Sequence, residues 1–401
     1  MINPTSWLEV DLDKISENVK NIKKYLGSTR LLAVVKANAY GHGLYPVASC
    51  AVESGADFLG VSSIEEGIFL RKKGISQPLL VFNTILPEQA ADVLDYGLTA
   101  TVCSLDVVQA LNEVAARQNK KATIHVKIDT GFGRFGALPD HAAEMIRLII
   151  SNFDNIYLEG IYTHFSKANN EKITYKQFNA FMSLVETLNE QGIEIPIKHV
   201  CNSVAALNYP EMHLDMVRVG NLIYGMVPSK EIAITNPSKI CSRVIFLKNL
   251  PKGHYIGYGN KYKTKKPTTI AVVPFGYFDG LEVYVFQPNG FLDGLKYLIK
   301  QVLFRFGIYS SSRKANINGA SCYILGKISM QNCIVDVTKI KNNVFVGDVV
   351  ELSARRLNLS QSIVRIYHRA GRVFSENDIT PAETASDFAP PAGQRRETSI
   401  G

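Results

Sequence analysis

The first half of the chain alternates short apolar runs with longer amphipathic stretches such as SLDVVQALNEVAARQ. Eight such runs occur between about residues 30 and 225: LLAVVK (from 31), FLGVSS (58), PLLVFN (78), TATVCS (99), TIHVKID (123), LEGIYTHF (158), IKHVCNS (197) and MVRVGNLIYG (216). Continuous hydrophobicity is typical of parallel strands that are covered on both faces. The pattern predicts an α/β fold with a (β/α)8 barrel over residues 15–230, and a doubly wound sheet is the alternative.

The pattern changes after about residue 230. Short strand-like runs with turns between them, such as TTIAVVPFGYF and CYILGKISM, predict a mostly β C-terminal domain over residues 231–378. Apolar residues at helical spacing predict a helix inserted into this domain at 291–306. Residues 1–14 are expected to form an N-terminal strand that packs with the β domain. Residues 379–401 are rich in Pro, Ala, Ser and Thr, lack periodicity and are expected to form a disordered tail.

Composition narrows the classes of function. The 401 residues are 46% hydrophobic and 20% charged, which is typical of a globular protein with a sizeable core. The net charge of +8 is spread along the chain without a nucleic-acid-binding signature. No signal peptide or membrane-spanning run is recognisable, so we expect a cytoplasmic protein without membrane or nucleic-acid partners. Six widely spaced cysteines predict free thiols in a reducing compartment and no metal site.

Polar residues interrupt or end several of the apolar runs. They are Lys36, Lys127, His164, Asn202 and Arg218. In a barrel the C-terminal strand ends converge on one mouth, where active sites are built. An amine there, such as that of Lys36, is partly desolvated, and its neutral form can attack an aldehyde. Simple exposure at a strand end is the alternative interpretation for each residue taken alone.

A series of motifs favours the active-site interpretation of these residues over simple exposure. AVVKANAYGHG, KIDTGFGRFG, THFSKANN, CNSVAAL, DMVRVGNLIYG, YGNKY, GYFDG and GKISM resemble the alanine racemase family in order and approximate spacing. The resemblance covers roughly residues 5 to 375. It implies a pyridoxal 5'-phosphate (PLP) enzyme that racemises alanine, with a small amino acid as substrate.

The resemblance also implies the cofactor contacts. Lys36 would carry the cofactor as an internal aldimine, and Tyr40, Ser203, Gly220 and Asn221 would surround its phosphate. An N-cap on a helix that starts at Val204 is the other interpretation of Ser203, and both roles can coexist. The complete set of implied cofactor neighbours is Lys36, Tyr40, His164, Asn202, Ser203, Arg218, Gly220, Asn221 and Tyr224.

Arg218 is the most informative residue for mechanism. By the resemblance it lies at the pyridine nitrogen, with His164 and His199 as supporting neighbours. An arginine cannot accept a proton, so it would not hold this nitrogen protonated as a carboxylate does. The ring would then be a weaker electron sink, which favours rapid reprotonation at Cα over transamination.

Racemisation requires proton transfer on both faces of Cα, so two acid–base groups are expected. The resemblance implies that Lys36 serves one face and Tyr258 the other. Arg134 and Met330 are the implied substrate-binding residues, and Lys127 matches a lysine that is often carbamylated in the family. The family is typically a homodimer in which the tyrosine and the methionine enter the partner's site.

Three features depart from the family pattern. Gln331 stands where the family usually has Asp, which leaves the preferred substrate side chain open. Residues 284–312 look like an insertion. In the C-terminal segment, Tyr367 or His368 takes the place of a family tyrosine near the phosphate.

Other functions stay open at this point. A racemase of serine or another amino acid and a basic amino acid decarboxylase are the enzymatic alternatives, although Arg218 argues against the decarboxylase. A non-catalytic PLP-binding protein is the alternative outside the enzymes. Tyr258 and Met330 favour an enzyme, because relatives of that kind usually lack the β domain.

Overall fold

The computed structural model describes residues 3–283, 290–305 and 313–375. Eight parallel strands form a barrel: β2 (Arg30–Val34), β3 (Phe58–Val61), β4 (Leu79–Thr84), β5 (Thr99–Val102), β6 (Ala122–Lys127), β7 (Ile156–Tyr162), β8 (Ile197–His199) and β9 (Met216–Val219). They pair in the order β8-β7-β6-β5-β4-β3-β2-β9. Backbone bonds from Asp215 to Lys198 and from Arg218 to Cys201 join β8 and β9. All eight apolar runs are strands, so the barrel is confirmed and the doubly wound sheet is excluded.

Helices surround the barrel: α1 (Leu12–Leu26), α3 (Leu44–Glu53), α4 (Ile64–Lys72), α5 (Ala90–Asp95), α6 (Leu105–Arg117), α7 (Pro139–Asn152), α8 (Glu171–Glu190) and α9 (Ser203–Asn208). Between β2 and α3 lies a short turn, α2 (Lys36–Tyr40). Helix α1 shows how sequence sets such an element. Asp11 caps its N-terminus by accepting the Lys14 N–H, and Ile15, Val19 and Ile22 face the core at helical spacing.

The second domain is built on a ten-stranded sheet in the order β11-β14-β17-β16-β15-β18-β10-β1-β19-β20. Its strands are β1 (Ser6–Asp11), β10 (Ser238–Arg243), β11 (Phe246–Leu250), β14 (Thr268–Val273), β15 (Lys314–Ile317), β16 (Ala320–Leu325), β17 (Cys333–Asp336), β18 (Val349–Leu352), β19 (Val364–Arg369) and β20 (Arg372–Ser375). A separate hairpin pairs β12 (Tyr255–Ile256) with β13 (Tyr262–Lys263). The N-terminal strand β1 lies inside the large sheet, antiparallel to β10 and parallel to β19.

Buried polar contacts attach this domain to the loop that follows Lys36. The guanidinium of Arg365 is buried and donates to the carbonyl of Gly41 at 3.1 Å. The ring of His42 is also buried and lies 3.0 Å from the Ser238 hydroxyl through Nε2. These contacts hold the loop that carries the lysine between the barrel and the β domain.

Helix α10 (Phe291–Arg305) interrupts the strands of the second domain. Leu292, Leu298 and Val302 on this helix are exposed. The sequence predicts that this helix extends to 306, a residue outside the described part of the chain. Residues 284–289 and 307–312 of the predicted insertion also lie outside it. The tail predicted at 379–401 lies outside them as well. Among the described helices, none is long and apolar enough to cross a bilayer.

Candidate active site

A cavity of about 380 Å³ opens at the C-terminal ends of the barrel strands. Its volume lies in the range of small-molecule sites. Ten of the residues singled out from the sequence line it: Lys36, Tyr40, Lys127, Arg134, His164, Asn202, Ser203, Arg218, Gly220 and Asn221. Strand ends that are far apart in the chain therefore bring these side chains to one site, as the barrel predicts.

Lys36 opens a turn with unusual backbone geometry. The four residues that follow it have φ angles of 53°, 52°, 51° and 55°, and none of them is glycine. The left-handed conformation costs L-residues roughly 1–2 kcal/mol each, so the surroundings must hold it. The carboxylate of Glu66 accepts the Asn38 N–H at 3.2 Å, and the Asn38 amide donates to Gln361 of the β domain at 2.9 Å. This turn places both Lys36 and Tyr40 in the cavity.

One end of the cavity is lined by hydroxyls and backbone. The Ser203 hydroxyl accepts the Gly220 N–H at 3.0 Å. A Cβ on Gly220 would lie 2.4 Å from the Tyr40 hydroxyl oxygen, so only glycine leaves room for that hydroxyl. The Tyr40 ring stacks on the buried Tyr224 with centroids 4.7 Å apart. Tyr224 therefore lies under Tyr40 and is not among the residues that line the cavity.

The N-cap interpretation of Ser203 is wrong. The cap is Asn202, whose side-chain oxygen accepts the N–H groups of Val204 and Ala205 at 3.0 and 3.1 Å. The helix begins at Ser203 itself. Because the cap is already supplied, the Ser203 hydroxyl is available to the cavity and to Gly220.

Arg218 is buried at the floor of the cavity, with only 4% of its surface exposed. Its Nη1 lies 2.9 Å from Nδ1 of His199, and Nη2 lies 3.4 Å from Nδ1 of His164. Nη2 also donates to the carbonyls of Thr163 and Val200. Burial, followed by the nearby charge of Arg218, holds the pKa of both histidines well below its usual value. Both rings are therefore neutral, and their Nδ1 atoms are free to accept from the guanidinium.

Arg134 is presented by the loop that follows β6. The Asp129 carboxylate accepts the N–H groups of Gly131, Phe132 and Gly133 and so folds this loop. Burial alone would raise the pKa of Asp129, but these donors lower it below its usual value. The Arg134 guanidinium packs over the ring of Phe132 at 4.5 Å. The loop therefore presents a cation to the cavity.

Two lysines in the cavity have weakened basicity. Burial, and then the charge of Arg134, lowers the pKa of Lys36. Burial together with the charges of Arg218 and Arg134 lowers the pKa of Lys127 to about 7. The Lys127 ammonium group lies 4.8 Å from the centre of the Tyr162 ring. Both amines can therefore reach the neutral, nucleophilic form more readily than an exposed lysine.

Tyr258 and Met330 do not line this cavity in the single chain. Tyr258 lies in the turn of the β12–β13 hairpin with 68% of its surface exposed, and Met330 is 55% exposed. The Met330 carbonyl accepts the N–H of Phe278, which is exposed together with its neighbour Tyr277. We refer to the four exposed residues Tyr258, Tyr277, Phe278 and Met330 together as the exposed patch of the β domain.

The interpretation of Tyr367 and His368 as phosphate neighbours is not supported. Tyr367 is fully buried in the large sheet, where its ring stacks on Phe374 at 5.4 Å, and neither residue lines the cavity. Two residues slightly earlier in the chain contact the loop that carries Lys36: Gln361 accepts from Asn38, and Arg365 donates to the carbonyl of Gly41. Gln361 is the one that reaches the left-handed turn itself. It carried no motif signal in the sequence.

Sequence reasoning also missed Tyr162. Its ring is fully buried, stacks on His199 at 4.7 Å and lies 5.1 Å from the Arg218 guanidinium. Its hydroxyl bonds to Thr101 at 2.8 Å, and burial raises the pKa of the phenol beyond its usual value. The only signal was its place in LEGIYTHF, two residues before His164.

Two family models match the chain. The model described as alanine racemase, N-terminal domain, matches residues 10–228, and the one described as alanine racemase, C-terminal domain, matches residues 238–377. Alanine racemase 1 of Caldanaerobacter subterraneus subsp. tengcongensis is 35% identical over 369 residues, which cover 90% of this chain and 88% of that protein. The alanine racemase of Methanococcus maripaludis is 35% identical over 93% of this chain and 95% of that protein.

Solved structures agree with the sequence matches. The alanine racemase of Clostridium difficile 630 has a TM-score of 0.81 and 31% identity, and the match covers 93% of this chain and 98% of that one. The resemblance inferred from the motifs is thereby confirmed. The chain belongs to the alanine racemase family.

Proposed function

We propose that this chain is a PLP-dependent racemase that interconverts L- and D-alanine by a two-base mechanism. One observation carries the proposal: a lysine with lowered basicity and a buried arginine line the same cavity. An arginine beside the pyridine nitrogen of PLP would not keep that nitrogen protonated. This distinguishes a racemase from PLP enzymes that require a protonated, strongly electron-withdrawing ring. The names of the relatives support alanine as the substrate.

The residues present fit PLP. Lys36 supplies an amine for covalent attachment to the aldehyde. The hydroxyls of Tyr40 and Ser203 and the backbone around Gly220 supply donors for the phosphate, and Arg218 supplies a donor for the ring nitrogen. The missing Cβ at Gly220 keeps this end open. When bound, PLP lowers the pKa of the Cα proton of an attached amino acid.

The chain's own groups would then bind the substrate and move the proton. The guanidinium of Arg134 would hold the substrate carboxylate. The amine of Lys36 would take or return the proton on one face of Cα, and the Tyr258 hydroxyl would do so on the other. Lys127, whose pKa of about 7 makes its neutral amine accessible, would react with CO2 to form a carbamate that orients Arg134.

Tyr258 can take this role only if a second subunit supplies it, because it does not line the cavity of its own chain. We propose a homodimer in which the exposed patch of each β domain faces the barrel mouth of the partner. All four side chains are exposed, and aromatic residues and Met are enriched at protein interfaces. In this arrangement Met330 would also approach the partner's substrate.

We place the enzyme in the cytoplasm, a reducing compartment. All six cysteines are free thiols, and five of them are buried. Burial raises the pKa of Cys50 and Cys201 to about 12, which keeps them as unreactive thiols.

The direct test incubates the purified protein with PLP and single L-amino acids and separates the products on a chiral column. We expect D-alanine from L-alanine and a visible absorption band that borohydride converts to an adduct on Lys36. Lys36→Ala should lose both the band and the activity. Faster turnover of serine or another amino acid, release of CO2 from basic amino acids, or no exchange of Cα–H with solvent deuterium would each contradict the proposal.

A further inference from the structure

A line of hydrogen-bonded side chains runs from Arg218 through the interior of the barrel to Glu159. Arg218 Nη1 lies 2.9 Å from His199 Nδ1, His199 Nε2 lies 2.9 Å from His125 Nδ1, and His125 Nε2 lies 2.9 Å from Glu159 Oε2. Both imidazole rings are fully buried, and the Glu159 side chain is 19% exposed. Every ring nitrogen in the line therefore has one protein partner.

Arg218 determines which atom donates and which accepts in each hydrogen bond of this line. A guanidinium has only donors, so the His199 Nδ1 that faces it must accept. The proton of His199 is then on Nε2 and is donated to His125, whose Nδ1 must accept in turn. The proton of His125 is therefore also on Nε2, where the Glu159 carboxylate accepts it. A proton on either Nδ1 would put two donors face to face.

The local backbone is shaped for this contact. In the pairing of β6 with β7, Ile124 lies opposite Leu158 but His125 lies opposite Gly160, so Glu159 is the extra residue of a bulge. Bulges redirect a side chain that regular alternation would point elsewhere. A Cβ on Gly160 would lie 2.7 Å from Cε1 of His125, so glycine makes room for the ring.

The line also connects Arg218 to a negative charge, because it ends at the carboxylate of Glu159. Within residues 3–283, 290–305 and 313–375, Arg218 forms no ion pair with a carboxylate. A buried cation without a compensating anion is costly. In a chain of hydrogen bonds each bond polarises the next, so a carboxylate at one end strengthens the bond to a cation at the other. Glu159 is the anion at the far end of this line.

We propose that Glu159 and His125 are positioning residues that fix His199 as its Nε2–H tautomer and thereby hold the guanidinium of Arg218 in place. Loss of the Glu159 acceptor frees the His125 proton to move to Nδ1. His199 Nε2 must then accept, its proton faces Arg218, and the arginine has to shift. The catalytic consequence rests on the proposed function, but the tautomers do not.

The first test is therefore made on the protein without PLP and needs no activity. Two-dimensional ¹H–¹⁵N spectra of histidine-labelled protein should show both His125 and His199 as neutral Nε2–H tautomers. Glu159→Leu should convert His199 wholly or partly to the other tautomer, and Glu159→Gln, which keeps an acceptor oxygen, should not. His42, outside the line, is the internal reference. An Nδ1–H or doubly protonated ring in the wild type, or an unchanged His199 in Glu159→Leu, would overturn the proposal.

The second test separates positioning from general destabilisation. Glu159→Leu should lower kcat by about 10-fold, as loss of an orienting partner typically does, with little change in KM for alanine. Glu159→Gln should recover most of that loss, and Glu186→Leu on the exposed face of α8 is the matched control. Adding Glu159→Leu to His125→Phe should cause no further loss, because the line is already broken. Additive losses, or a Glu159→Gln variant as slow as Glu159→Leu, would contradict the assignment.

Discussion

The hydroxyl of Tyr40 occupies the space that a Cβ on Gly220 would fill, with only 2.4 Å between that carbon and the hydroxyl oxygen. The left-handed turn that carries Tyr40 is held by contacts to Glu66 and Gln361 and cannot easily move away. The shape of the cavity at the end where we propose that the phosphate binds therefore depends on Gly220, in the loop that follows β9.

Gly220→Ala should weaken PLP binding by about 10-fold, because overpacking typically costs about 1–3 kcal/mol. Equilibrium dialysis followed by absorbance measures the dissociation constant. Tyr40→Phe in the same chain should relieve part of the clash, so the two substitutions should be less than additive. Gly294→Ala is the matched control, since nothing lies within 4 Å of a Cβ at that position. Unchanged PLP affinity in Gly220→Ala would contradict the phosphate assignment.

Lys127 should make stability depend on pH. Its pKa falls from 10.5 in an exposed lysine to about 7 in the fold, so the unfolded chain binds more protons between these values. Burial of the protonated amine therefore lowers the free energy of unfolding by its full amount below pH 7, and this destabilisation decreases as the pH rises towards 10.5. In CO2-free buffer, Lys127→Met should raise the melting temperature more at pH 6.5 than at pH 10.

The same lysine should take up CO2. With ¹³C-labelled bicarbonate near neutral pH, wild-type protein should show a carbamate carbon signal that Lys127→Met lacks. Lys120→Met on the exposed surface is the control. A signal that persists in Lys127→Met would place the carbamate on another amine.

Arg218→Glu should shift the reaction from racemisation towards transamination. A carboxylate can hold the ring nitrogen of PLP protonated, whereas arginine cannot accept that proton. We expect racemisation to slow by at least about 10²-fold, the scale of losing one preorganised donor. A larger share of turnovers should end in transfer of the amino group, which yields pyruvate and pyridoxamine 5'-phosphate. Coupled lactate dehydrogenase measures the pyruvate, and an unchanged product ratio would remove Arg218 from the ring nitrogen.

Tyr258→Phe should spare PLP binding and slow racemisation by about 10²- to 10⁴-fold, which is the usual contribution of a general acid–base group. Chiral chromatography measures the rate. Deuterium exchange at Cα should persist on the Lys36 face more than on the other. The matched control is Tyr255→Phe, another exposed tyrosine of the same hairpin.

Mixed subunits test the proposed dimer. A heterodimer of Lys36→Ala and Tyr258→Phe chains has one site with both residues intact if Tyr258 acts across the interface. Mixing the two inactive variants should then restore part of the activity. Heterodimers verified by mass spectrometry that stay inactive would exclude the shared site.

Several features follow from the amino-acid pattern alone. Eight continuous apolar runs identify eight buried parallel strands, because only strands covered on both faces require hydrophobic residues at every position. Polar residues at the ends of those runs locate the cavity, since parallel strands in a barrel converge at their C-terminal ends. Lys36, Lys127, His164, Asn202 and Arg218 were found in this way, and all five line it.

Only the tertiary structure decided which groups act together. The contact of His125 with His199 joins residues 74 positions apart, and Glu159 reaches His125 because a bulge turns its side chain. Local periodicity reports burial, but it does not report side-chain direction at a bulge or the distance between strands. The exposure of Tyr258 is likewise a result of packing: the motif marks the tyrosine, and the fold of the single chain keeps it out of the cavity.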